Sequence, residues 1–411
     1  MISLRRAAEL CEFCPKMCRF SCPAAEVSSR EAWTPWGKVS LAVLAGREPD
    51  SSAALAFGAC SGCLRCQTYC AHGNDVPSVL YAARASAIRA GSAPRPWADV
   101  ARKMSVVGHA EEVDLLAVHR QIAAADTGRS SGAAATSLTG ESTGAHLGRE
   151  AARLSLRGVA ETVTSFLRPA PQAVSQTPLL FPGCDALAAG GRLVRETLAV
   201  ARALSAPLAL APETALCCGL KLVESGHPEM FAAHAARVRT ALVGGSRRPA
   251  PVHLVLLSPG CVRAVRERWP ALPDGSRVEH VTTYLSRALA ARRDLRERPP
   301  LAEAVTYHDP CELARGLSEL TAPRALLAAA VEELREPPRC GTDTSCCGAN
   351  GLMPRTLPSV ASAMAADRRV ELDACGAPAV TASPGCGAAL GASDVVSVLA
   401  RWLGIDVEEV A

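Results

Sequence analysis

Two rhythms divide the chain. From about residue 176 onward, short apolar runs alternate with longer stretches of helical pattern, the mark of an α/β arrangement. Four of these runs stand out: "TPLLFPGC" (177–184), "LVLLSPGC" (254–261), "AVTYHDPC" (304–311) and "AVTASPGC" (379–386). Each predicts a buried strand, and each ends on a cysteine closely preceded by proline. "CCG" follows the first run at 217–219, and the same triplet follows the third at 346–348. Residues 185–216 separate Cys184 from Cys217, and residues 312–345 separate Cys311 from Cys346. Two copies of one unit are the simplest explanation.

Earlier residues follow a different pattern. Helical periodicity marks segments such as "VPSVLYAARASAIRA" (76–90), broken by cysteine-rich loops. "DTGRSSGAAATSLTGESTGAHLGRE" (126–150) has almost no large apolar residue and predicts a flexible linker. The expected organisation is therefore multidomain: a helical region over 1–125, a linker over 126–175, and two α/β repeats over 176–300 and 301–411. A chain of 411 residues exceeds what one hydrophobic core usually holds.

Composition narrows the function. The net charge is +4, and no dense Lys/Arg block gives reason to expect nucleic acid as a partner. No run of about 18 apolar residues predicts a membrane span. The N-terminal "MISLRRAAELCEFC" lacks the apolar core of a secretory signal, so a reducing cytoplasm is expected. There, 18 cysteines point to metal binding or redox work rather than disulfides. No Ser–His–Asp set, phosphate loop or dinucleotide fingerprint is found.

"CSGCLRCQTYC" sets Cys60, Cys63, Cys66 and Cys70 in the pattern C-x2-C-x2-C-x3-C. Three thiolates of such a loop fill three corners of a cubane iron–sulfur cluster, and the fourth serves a neighbouring cluster. Zinc motifs, by contrast, normally pair two separated C-x2-C units. "CEFCPKMCRFSCP" sets Cys11, Cys14, Cys18 and Cys22 with one extra residue between Cys14 and Cys18. The expected crossing gives one cluster Cys11, Cys14, Cys18 and Cys70, and the other Cys60, Cys63, Cys66 and Cys22.

In a parallel sheet, ligands gather at the carboxyl ends of the strands. Cys184 and Cys261 are expected to meet at one edge, and Cys311 and Cys386 at the same edge of the second repeat. Helices beginning there would lower thiol pKa, with Asp309 as a cap in "HDPC". His308 and Asp309 are read as capping and packing residues. Adjacent cysteines lie about 3.8 Å apart at Cα, below the usual disulfide range. On a turn, however, both sulfurs can face one site, with Gly219 and Gly348 free to take positive φ. The expected sets are Cys184, Cys217, Cys218, Cys261 and Cys311, Cys346, Cys347, Cys386. Cys340, Cys375 and His72 carry only weak signals.

"YHDPCELARG", "CCGANGLMP" and "SPGC", with the two N-terminal motifs and "TPWGK" (34–38), resemble the cysteine-rich CCG-domain iron–sulfur proteins. Members include the glycolate oxidase iron–sulfur subunit, one of the subunits of anaerobic glycerol-3-phosphate dehydrogenase, and heterodisulfide reductase subunits. The resemblance implies an α-helical ferredoxin-type domain with two [4Fe-4S] clusters, followed by two CCG domains able to hold further clusters. It implies electron transfer from a flavin-containing dehydrogenase or oxidase subunit, in many members toward quinone. The expected place is the cytoplasm or the inner face of the membrane, reached through the quinone pool or a membrane anchor. The full family motif ends in C-x2-C, but Ser258 and Ser383 stand where its first cysteine would be. That departure counts against the alternative, a thiol–disulfide reductase using a CCG-bound cluster.

Overall fold

The computed structural model describes residues 4–133, 177–244 and 249–407. The region before residue 134 is helical. Its longer helices span Pro35–Ala45, Val76–Ala90, Arg95–Val107 and Leu115–Ala133. The starts of Pro35–Ala45 and Val76–Ala90 follow from short polar side chains placed before a proline-bearing first turn. Thr34 Oγ1 accepts from Gly37 N at 3.1 Å, and Asp75 Oδ1 accepts from Ser78 N at 3.1 Å. The helix Leu115–Ala133 runs eight residues into the span expected as a linker, 126–133. Most of that span, 134–175, lies outside the described residues.

Two four-stranded parallel sheets follow. The first contains β1 (Leu179–Phe181), β2 (Ala209–Leu210), β3 (His253–Leu256) and β4 (Arg277–His280), in the order β2-β1-β3-β4. The second contains β5 (Leu301–His308), β6 (Val331–Arg335), β7 (Ala379–Thr381) and β8 (Ser393–Asp394), in the matching order β6-β5-β7-β8. The four apolar runs become β1, β3, β5 and β7, the two central strands of each sheet. Leu179 pairs with Leu254, and Thr306 with Ala379. Because the central strands are neighbours, their carboxyl ends, and the cysteines just beyond, stand side by side.

The repeats pack helix on helix. Arg192–Ala203 lies against Val395–Leu403, and Val281–Ala291 against Thr321–Ala330. One continuous core includes Trp97, Leu198 and Trp402, so all three parts share it. Arg84 sits where they meet and is fully buried. From the helix Val76–Ala90 it donates to Phe57 O and Cys60 O at 2.8 Å, to Glu224 O at 2.7 Å and to Gly351 O at 3.3 Å. Gly351 has φ +70°, and a Cβ there would lie 2.3 Å from Cys60 O. Only glycine lets the second repeat approach the first cysteine loop this closely.

Candidate metal centres

The structure brings the N-terminal cysteines together in the crossed arrangement. Cys11 lies in the last turn of the helix Leu4–Glu12, Cys14 and Cys18 follow it, and Cys70 comes from the second motif. Asn74 joins the two motifs: its Nδ2 donates to Cys11 Sγ at 3.2 Å and its backbone N to Cys70 Sγ at 3.5 Å. Burial, then the nearby Cys11, Cys14 and Cys70, push the Cys18 thiol up to about 11. Cys22, Cys60, Cys63 and Cys66 line one cleft. Burial, and then Cys63, Cys60 and Cys22, push the Cys66 thiol well above its ordinary range. Lys38, from "TPWGK", is buried beside this second group and donates to Cys22 Sγ at 3.3 Å. Nothing in the sequence signals that role, because burial of a lone lysine has no local signature.

Each repeat gathers its four thiols in two pairs. In the first, Cys184 and Cys217 sulfurs are 3.9 Å apart, and Cys218 shares a hydrogen bond with Cys261. The second repeats the scheme: Cys311 and Cys346 are 3.9 Å apart, and Cys347 pairs with Cys386. Gly219 and Gly348 adopt φ +83° and +78°, and each backbone N donates to the first sulfur of its triplet at 3.4 Å. The turn thus presents both thiols and one N–H. Cys184 and Cys217 are buried, as are all eight cysteines of the two sets.

Two expectations need correction. Asp309 does not cap the turn after Cys311. Its carboxylate is drawn off by Arg324, at 2.7 and 2.8 Å, and by Gly341 N at 2.7 Å. Nor do helix N-termini lower the thiol pKa values in general. Cys184, Cys218, Cys346 and Cys386 are pushed well above the ordinary range, first by a hydrogen bond shared with a neighbouring sulfur and then by burial. Cys347 is held well below that range, first by the Cys386 thiol and, against burial, by His308. His308 is thus more than a packing residue. A ring nitrogen lies within 4.8 Å of both the Cys347 and the Cys386 sulfurs.

The second N-terminal group and the second repeat touch. The Cys63 and Cys346 thiols share a hydrogen bond, and Ser61 Oγ lies 3.2 Å from Cys346 Sγ. A cavity of about 640 Å³ opens between the repeats, with Cys347, Asn350, Asp185, Lys221, Arg355 and Arg369 in its wall. Cys340 and Cys375 join none of the groups; the Cys375 thiol faces Glu371 O at 3.6 Å. His72 is exposed beside Cys70.

The cysteine-rich CCG family model matches residues 179–263 and 305–391. The chain carries two CCG domains. They take in the central strands of each sheet and both cysteine sets. A dihydromethanophenazine:CoB–CoM heterodisulfide reductase subunit from Methanosarcina barkeri is 29% identical over 194 residues, 46% of each chain. A probable membrane-anchored ferredoxin from Chromohalobacter salexigens is 36% identical over 108 residues, 25% of this chain and 16% of the relative. An EtfAB:quinone oxidoreductase from Syntrophomonas wolfei is 31% identical over 98 residues, 24% of this chain and 14% of the relative. The chain thus spans about half the length of the reductase subunit and less of the other two. No helix among the described residues is long and apolar enough to cross a membrane.

The donor sets suit iron–sulfur clusters. All 18 cysteines are free, and 16 fall into four groups of four soft sulfur donors. Buried thiols that raise one another's pKa would repel strongly as thiolates; a bound cationic metal core removes that penalty.

Proposed function

We propose that the chain is an iron–sulfur electron-transfer subunit. Cys11, Cys14, Cys18 and Cys70 would hold one [4Fe-4S] cluster, and Cys60, Cys63, Cys66 and Cys22 a second. Each CCG set would hold a further cluster. Bound there, such clusters supply one-electron redox chemistry. The chain's own part is to seat them close together and keep water out. The observation that carries the reading is the contact of Cys63 with Cys346, which sets an N-terminal group directly against a CCG set.

On this reading a flavin-dependent dehydrogenase of the 2-hydroxy acid or glycerol-3-phosphate type donates electrons, and quinone or another carrier receives them. Docking at the inner face of the membrane suits a quinone acceptor. The exposed Phe13, Met17 and Phe20 surround Cys14 and Cys18 and offer an apolar face for a donor. A second reading, heterodisulfide or thiol–disulfide reduction, is favoured by the cavity beside Cys347. Ser258 and Ser383 weigh against it, since each set then has four thiols rather than five.

Iron and acid-labile sulfide in anaerobically purified protein test the assignment. About sixteen iron atoms are expected in the native chain, and about eight in a variant with Cys217, Cys218, Cys346 and Cys347 changed to serine. Zinc without sulfide would sink the proposal. Oxidation of a flavoprotein donor, against reduction of a disulfide, separates the two readings.

A further inference from the structure

His308 ends β5, three residues before Cys311, and is 1% exposed. Its Nδ1 accepts a hydrogen bond from Arg368 Nε at 3.0 Å. A guanidinium only donates, so Nδ1 must keep its lone pair. The neutral ring therefore carries its proton on Nε2. Nε2 is buried and has no hydrogen-bond partner within ordinary reach. Nδ1 is taken by Arg368, which leaves Nε2 as the nitrogen that serves the nearby Cys347 and Cys386 sulfurs.

The tautomer is enforced from behind. Arg368 is fully buried in the helix Pro358–Asp373. Its Nη1 donates to Glu371 Oε2 at 2.6 Å and to Arg339 O at 3.0 Å. Its guanidinium cannot turn away from His308 without abandoning both. An imidazole that bound metal through Nε2 would instead have to carry its proton on Nδ1, where Arg368 donates. The geometry thus suits a donor to sulfur and opposes a ligand.

The first CCG domain has no counterpart. Phe181 ends β1 three residues before Cys184, the position His308 holds before Cys311, and it is fully buried. The two domains share strand order and paired thiols, and in each a backbone N–H, of Leu220 or of Ala349, reaches the second pair; among the described residues only the second domain adds a side-chain N–H donor there.

We propose that His308, held as the Nε2–H tautomer by Arg368, donates a hydrogen bond to the Cys347/Cys386 pair and raises the reduction potential of the second CCG site. Hydrogen bonds to cluster sulfurs are among the determinants of potential, because they stabilise the more negative reduced state. The domain in contact with the N-terminal thiols thereby becomes a better electron acceptor than it would be with phenylalanine at this place. This inference rests on the reading that Cys311, Cys346, Cys347 and Cys386 hold an iron–sulfur cluster.

The test follows, in the full chain, the paramagnetic signal that Cys347→Ser removes. In a mediated redox titration, His308→Phe should move its midpoint negative by at least tenfold in the one-electron equilibrium, about 59 mV. His308→Gln, which keeps an N–H donor, should restore most of the shift. In native protein labelled with ¹⁵N-histidine, pulsed EPR should show a weak coupling that His308→Gln abolishes. If native protein has no cluster at this site, the functional reading fails and the inference with it. If the cluster is present and His308→Phe leaves the midpoint in place, only the inference fails. A strong coupling of metal-bound imidazole, or loss of the cluster from both variants, would make His308 a ligand and overturn the donor role.

Discussion

Arg84→Leu should loosen the junction of the three parts without unfolding any of them. The guanidinium makes two hydrogen bonds that cross between parts, to Glu224 O at 2.7 Å and to Gly351 O at 3.3 Å. A hydrogen bond with a charged partner contributes about 1.5–3 kcal/mol, so two lost bonds cost roughly 3–6 kcal/mol. Leucine returns part of that through apolar burial, at about 25 cal/mol per Å². The net expectation is about 2–4 kcal/mol, roughly 30- to 700-fold in the docking equilibrium. Native-state hydrogen exchange of the loaded, anaerobic protein reads this directly. Gly351 N donates to Glu224 Oε1 at 3.2 Å across the same junction, so its protection should fall by that factor. Amides of β3 should keep theirs, and Arg84→Lys should lie between the two. Protection at Gly351 within about twofold of native, or an equal loss in β3, would refute the argument.

Cys22→Ser should damage the cluster expected with Cys60, Cys63 and Cys66 and spare the one beside it in sequence; EPR of the two N-terminal signals checks this. Gly351→Ala would set a Cβ 2.3 Å from Cys60 O. It should weaken magnetic coupling between the second N-terminal cluster and the second CCG site, with iron content unchanged. His280 is buried neutral, and burial lowers its pKa to about 4. The unfolded chain binds that proton below about 6.5, so stability should fall from pH 6.5 toward 4, by up to about 3 kcal/mol. His280→Gln should flatten that limb of a urea-denaturation series.

Much of this architecture was legible because the informative residues lie on continuous apolar runs. β1, β3, β7 and the second half of β5 are largely buried, and such strands leave apolar runs with little alternation. Their partners β2, β4, β6 and β8 were not read. "AL" and "SD" are two residues long, and "RVEH" and "VEELR" are edge strands carrying charge. The crossed grouping of the N-terminal thiols was an expectation from the two-cluster ferredoxin pattern. Lys38 and His308 were not legible, since their importance comes from neighbours distant in sequence. Cys22 lies 16 residues from Lys38, and Arg368 lies 60 from His308. The helix over 126–133 was missed because Gly and Ser there pointed to loop, while the helix begun at Leu115 carries on through them.

The adjacent cysteines of the second CCG domain border different surroundings. Cys346 faces inward, against Cys63 and Ser61, while Cys347 stands in the wall of the cavity. One peptide bond therefore separates the side that meets the N-terminal thiols from the side that small molecules can reach through the cavity. An oxidant such as dioxygen entering the cavity meets Cys347 before any N-terminal thiol. On the proposed electron path, leakage by this route would begin at the second CCG site rather than at the N-terminal groups.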